Sequence, residues 1–214
     1  MRAPNYKLPA VCDVLVTNVC NAACDFCGFA RDKTLVGAAR YLDADAFARA
    51  LPILRRRGIR FMTLQGGEPL VHPDIVRLVS ETTAAGISCA IITNGWFLPR
   101  YIDQLAAAGL DRLIISIDSA NLAEHELNRG LEGLERRIAE GIAGARTNGL
   151  PVQASVTVNR LVRWLYSLPP WPLWLVRWCR SGVRVLQKWS LGAGDVRSIS
   201  EPALRGLPSY CYLS

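Results

Sequence analysis

The feature that most restricts the fold is a repeat of short apolar strands and amphipathic helices. Val11–Thr17, 59–65, 87–93, 112–117 and Val152–Val158 are each runs of strand length, rich in aliphatic and β-branched residues. Helical spacing fills the intervals. Asp43 is placed to cap a helix carrying Phe47, Ala50, Leu51 and Leu54 on one face, and further helices are expected over 73–85, 101–108 and 132–147. Pro52, inside the first of these, predicts a kink or an early end. Strands alternating with helices imply a parallel sheet with right-handed crossovers, so the pattern points to an open or closed β/α barrel, or to a doubly wound sheet. The unusual motifs all follow strand ends, where both folds place their sites, so position alone leaves the two open.

The chain has 214 residues, half of them apolar and a fifth charged, which suits one folded core and leaves a complete barrel cramped. Its formal charge of +7 is unevenly spread. Residues 1–160 hold 18 Lys and Arg against 16 Asp and Glu, whereas 161–214 hold 7 against 2. No nucleic-acid-binding motif accompanies the basic end, so nucleic acid is not the expected partner. The N-terminal residues lack the pattern of a secretory leader, and no apolar run reaches the roughly 18 to 20 residues that span a bilayer. The expectation is a cytoplasmic protein without a transmembrane segment, in which seven cysteines serve as thiols or metal ligands rather than a disulfide framework.

Cys20, Cys24 and Cys27 lie within eight residues, directly after the first strand. One loop carrying three thiols can wrap a metal centre. In a four-iron cluster each thiolate would hold one iron and leave the fourth iron open to a small ligand. Structural zinc normally takes four ligands, and the other candidates, Cys12, Cys89, Cys179, Cys211, His72 and His125, are scattered. Iron-sulfur, zinc and unligated thiols are the three readings of the spacing. Gly66, Gly67, Glu68 and Pro69 follow the second strand, where paired glycines admit a ligand close to the backbone and Glu68 offers a carboxylate to an ammonium group. An ordinary glycine turn would read the same way. Thr93 and Asn94 end the third strand, and Ser116 and Asp118 the fourth. Each of these is also what a plain turn would carry. Gln153, Ser155 and Thr157 alternate along the fifth strand, and one such set can face the barrel interior. Neither histidine has an evident catalytic partner in the sequence.

The Cys-x3-Cys-x2-Cys spacing, with Phe26 just before the last cysteine and followed by the GGEP segment, resembles the radical S-adenosylmethionine (radical SAM) superfamily over about residues 10–160. The resemblance implies a partial (β/α)6-type barrel. It implies that Cys20, Cys24 and Cys27 bind a 4Fe-4S cluster, that Phe26 lies against the adenine of S-adenosylmethionine, and that Gly66, Gly67, Glu68 and Pro69 meet its methionine amino group. Thr93, Asn94, Ser116 and Asp118 would fall near the cofactor's polar groups or ribose. The implied activity is reductive cleavage of S-adenosylmethionine to a 5'-deoxyadenosyl radical that abstracts hydrogen from a substrate. The implied partner is a low-potential electron donor of the flavodoxin or ferredoxin type. No catalytic residue beyond cluster and cofactor is implied.

Beyond Leu161 the sequence changes character: five of the six tryptophans lie there, with Pro169, Pro170 and Pro172 interrupting any helix. The division expected is therefore a core over 1–160 and an irregular, Trp-, Pro- and Arg-rich segment over 161–214, with a candidate sixth strand at 181–187. A specialised surface, a short variant and a reading-frame change would each produce such an end. The corresponding alternatives for function are an inactive truncated or frameshifted scaffold and a non-catalytic metal-binding module.

Overall fold

The structure is a computed structural model and describes residues 10–24, 26–31, 37–119, 121–158 and 184–189. Its framework is a six-stranded sheet: β1 (Val11–Thr17), β2 (Phe61–Gly66), β3 (Ser88–Thr93), β4 (Arg112–Ser116), β5 (Val152–Val158) and β6 (Arg184–Trp189). Every neighbouring pair is parallel and the spatial order is the chain order. That order decides between the two folds left open above. Right-handed crossovers that always advance in one direction put every helix on the same side of the sheet, as in a barrel, whereas a doubly wound sheet reverses its order and is covered on both faces. Among the described residues no pairing joins β1 to β6, so the barrel is partial. β6 overlaps the candidate strand at 181–187 and starts three residues later.

The helices are α1 (Gly28–Arg31), α2 (Ala44–Arg57), α3 (Ile75–Ala84), α4 (Leu98–Ala107), α5 (Leu122–Arg129) and α6 (Leu134–Thr147). Asp43 caps α2 as expected, its carboxylate accepting from the Ala46 N–H at 2.6 Å. Pro52 does not end that helix, which continues to Arg57. The proline lies on the exposed face, where water can solvate the carbonyl freed by its missing N–H. α5 lies in a stretch with no expected element. β2 begins at Phe61 rather than 59, because the Ile59 N–H still closes the end of α2 on the Leu54 carbonyl. No described helix is long and apolar enough to cross a membrane.

Strand alternation separates two surfaces. Met62, Leu64, Cys89, Ile91, Leu113 and Ile115 face the helices and form one core with residues such as Phe47, Leu51, Leu78, Leu105 and Leu134. The opposite, concave face carries Asp13, Thr63, Ala90, Ile114 and Gln153, none of which belongs to that core. The cysteine loop and the turns after β2, β3 and β4 all emerge at the carboxyl ends of the strands.

Candidate functional site

The GGEP segment lies against the start of the cysteine loop. Gly67 N–H donates to the Thr17 carbonyl at 2.8 Å and Glu68 N–H to the Val19 carbonyl at 2.7 Å, carrying the sheet pairing past the end of β1. A Cβ at Gly66, whose φ is 149°, would overlap the Thr17 carbonyl, and one at Gly67 would overlap that of Val19. The paired glycines are thus needed for contact between the two loops before any ligand is considered. Pro69 then starts a single 3-10 turn over Pro69–Val71 that Glu68 caps through Leu70 N–H at 3.0 Å.

Glu68 is 1% exposed and ties three loops together. Besides Leu70 it accepts from the Thr93 hydroxyl at 2.7 Å and from Asn94 N–H at 2.8 Å. Burial pushes its carboxyl above the usual range, against the lowering effect of those hydrogen bonds and of Arg129. Asn94 extends the chain of contacts, its amide donating to the Asn21 side-chain oxygen at 2.8 Å. The loops after β1, β2 and β3 are joined through Asn21, Asn94, Glu68 and Thr93.

The cysteine loop packs on the core through Cys20, Phe26 and Cys27, all half-buried, while Cys24 is buried. Burial, augmented by Glu68 and by the other two thiols, pushes Cys20 up to about 11, and burial also raises Cys24. Burial thus favours the neutral thiol at Cys20 and Cys24. A bound cation would reverse the balance, since three thiolates on one loop need positive charge between them. Among the described residues no three His, Cys, Asp or Glu side chains converge on a point fit for a single metal ion. A four-iron cluster needs one thiolate per iron, a wider triangle than a lone zinc ion demands. Three cysteine thiols on one loop are the donor chemistry that such a cluster takes. Cys89, by contrast, faces the helices at 0% exposure and is pushed up to about 12 by burial.

After β4, Ser116 is half-buried and Asp118 is fully enclosed. Arg129 at the end of α5 donates to Asp118 Oδ2 through Nε and Nη2, both at 2.7 Å, and its guanidinium lies 5.7 Å from the centre of the Phe26 ring. The Arg129 carbonyl accepts from Ala23 N–H at 2.8 Å, so α5 is fastened to the cysteine loop. His125, for which the sequence offers no evident partner, sits in α5 with one: Nδ1 accepts from Asp118 N–H at 3.3 Å, and burial followed by Arg129 lowers its pKa to about 4. Asp118 Oδ1, His125 Nε2 and Asn21 Nδ2 are buried with no hydrogen-bond partner among the described residues. His72 is buried as well, with Nε2 2.9 Å from the Leu42 carbonyl and Nδ1 accepting from Asp74 N–H.

Cys20, Cys24, Cys27, Phe26, Gly66, Gly67, Glu68, Pro69, Thr93, Asn94, Ser116 and Asp118 thus all come to one end of the sheet. Sequence reasoning passed over Asn21, His125 and Arg129. The only signal available for the last two was a short polar segment between Asn121, a capping residue, and Gly130, a helix stop. Asn159, Arg160, Cys179 and Cys211 lie outside the described residues, as does most of the tail.

The family model described as "Radical SAM superfamily" matches residues 14–162. An AdoMet-dependent heme synthase of Methanosarcina barkeri is 34% identical over 146 residues, which is 68% of this chain and 41% of that protein. A GTP 3',8-cyclase of Heliobacterium modesticaldum is 31% identical over 193 residues, 86% of this chain and 56% of that one. The chain spans about half the length of these curated relatives. Among solved structures, Streptococcus suis SuiB bound to S-adenosylmethionine superposes with a TM-score of 0.69 at 18% identity, over 88% of this chain and 42% of that one.

Proposed function

This chain belongs to the radical SAM superfamily, and we propose that it is an enzyme that cleaves S-adenosylmethionine reductively at a 4Fe-4S cluster held by Cys20, Cys24 and Cys27. The observation that carries the reading is the joining of the cysteine, GGEP and Thr93-Asn94 loops through Glu68 and Asn94 at the carboxyl ends of three adjacent strands. A cluster and a cofactor that chelates it need those loops in fixed register, and a plain turn at each strand end would not. When bound, the cluster supplies an electron that breaks the sulfonium bond and yields a 5'-deoxyadenosyl radical able to abstract hydrogen.

The protein's own residues orient and enclose. Gly66 and Gly67 let the GGEP segment close on the cysteine loop and so set the register at which the methionine end of the cofactor would be met, and Glu68, three of whose acceptor positions are taken, keeps a carboxylate for an ammonium group. Phe26 offers an aromatic surface to the adenine, with Arg129 fixed beside it by Asp118. Thr93 and Asn94 hold Glu68 in place, and Ser116 and Asp118 complete the wall. Such chemistry requires a low-potential electron donor, for which a flavodoxin or ferredoxin in the cytoplasm is the natural source, and a substrate that the shared motifs do not specify. Residues 1–160 are the cofactor core in this reading, and 161–214 a further segment that adds β6 to its sheet.

The test is anaerobic incubation of the cluster-loaded chain with S-adenosylmethionine and dithionite, with 5'-deoxyadenosine and methionine measured by chromatography. Equimolar formation of both is expected. A chain that binds a cluster yet releases neither product is a scaffold and not an enzyme.

A further inference from the structure

The concave face of the sheet carries uncharged polar side chains beside the charged Asp13 and Arg112. Thr63, Gln65, Ser116, Gln153 and Ser155 occupy it, and none of these five side chains hydrogen-bonds to another described residue. All five are uncharged. Gln153 is the extreme case, 7% exposed, its side-chain oxygen buried with no hydrogen-bond partner among the described residues. Polar atoms inside folded proteins are normally satisfied, so an acceptor left without a donor in mid-strand needs an explanation. Its register supplies one. Gln153 stands between Ile114, which is itself paired with Ile92, and Arg184 of β6, so the acceptor borders an apolar strip that crosses the face one layer below Ser116 and Ser155. It lies deeper in the barrel than the loops that would hold the cofactor.

We propose that Gln153 is a specificity-determining residue whose side-chain oxygen accepts a hydrogen bond from an uncharged donor on the substrate, an amide N–H or a hydroxyl, while Ile92 and Ile114 bear its apolar part. The proposal rests on the reading of the site given above, which makes this face the floor of the substrate chamber. A neutral donor is favoured over an ammonium group because a buried neutral acceptor cannot repay the desolvation of a full charge. An ionised carboxylate brings acceptors only and leaves the Gln153 side-chain oxygen without a donor.

The full chain contains four glutamines, Gln65, Gln104, Gln153 and Gln187, so selective labelling of the glutamine side-chain amides gives a spectrum simple enough to read. Loss of one signal in Gln153→Met assigns it. Gln65→Glu, Gln104→Glu and Gln187→Glu assign it by elimination should the Met variant fold poorly. The probes are acetamide, which donates, and N,N-dimethylacetamide, which has the same carbonyl and no N–H. A downfield shift of the Gln153 carbonyl carbon with acetamide and none with dimethylacetamide is expected. Equal response to both probes, or a carbonyl that already resonates as hydrogen-bonded and responds to neither, overturns the proposal. Cofactor cleavage by the cluster-loaded wild type, measured separately, reports on the reading beneath it, so failure of one is distinguishable from failure of the other.

Discussion

Replacing Gly67 with alanine probes the contact on which the site is built. The new methyl would overlap the Val19 carbonyl oxygen, with the Val19 carbonyl carbon only 2.5 Å away, and both belong to backbone that cannot rotate aside. Relief requires the GGEP segment and the cysteine loop to part, which breaks the hydrogen bonds from Gly67 to Thr17 and from Glu68 to Val19. Two such bonds contribute about 1 kcal/mol each, and residual crowding costs about 1 kcal/mol or more. The sum, about 3 kcal/mol, corresponds to a fall in Tm of about 6 to 12 °C for a chain of this size. Gly28→Ala is the control, since a Cβ there meets nothing within 4 Å. Differential scanning calorimetry of both variants, with iron content after anaerobic reconstitution, measures the effect, and Gly67→Ala should also lose cluster occupancy. A Gly67→Ala protein that melts and loads like Gly28→Ala would refute the argument.

Asp118→Asn removes the charge partner of an Arg129 side chain that is only 9% exposed, and the unfolding free energy should fall by about 3 kcal/mol, seen as a lower urea midpoint at unchanged slope. His125 remains neutral in the fold down to about pH 4, whereas an unfolded histidine takes its proton near 6.5. The unfolded state therefore binds more protons across that window, and stability should decline on acidification through it by up to about 1.4 kcal/mol per pH unit. Denaturant titrations at several pH values should show a shallower decline in His125→Leu. Glu68→Gln turns an amide NH2 toward one of three fixed donors, so calorimetric titration should show weaker S-adenosylmethionine binding while the cluster is retained.

The sheet was legible because strands packed under helices on one face need short runs rich in aliphatic and β-branched residues, and such runs in 11–17, 87–93 and 152–158 have few other uses. α5 was not legible for the opposite reason. It is short and mostly polar, its Leu127 is 81% exposed, and what holds it is His125 and Arg129 on Asp118 rather than an apolar stripe. Pro52 did not bring the early end because a helix tolerates proline on its outer face. In the site, the three cysteines and the GGEP segment declared themselves by spacing. Asn21 and Arg129 act through contacts with Asn94 and Asp118, and such long-range pairs leave no periodic mark.

The central claim, that one loop of three thiols holds a four-iron cluster, is tested most directly by iron and acid-labile sulfide analysis after anaerobic reconstitution. Wild type and Cys20→Ala, Cys24→Ala, Cys27→Ala and Cys89→Ala would be compared, the last because Cys89 faces the helical core, away from the site. The expected result is about four iron and four sulfide per chain in wild type and Cys89→Ala, with each of the other three variants losing the cluster. Zinc without sulfide in the wild type, or cluster loss in Cys89→Ala as complete as in the three loop variants, would contradict it.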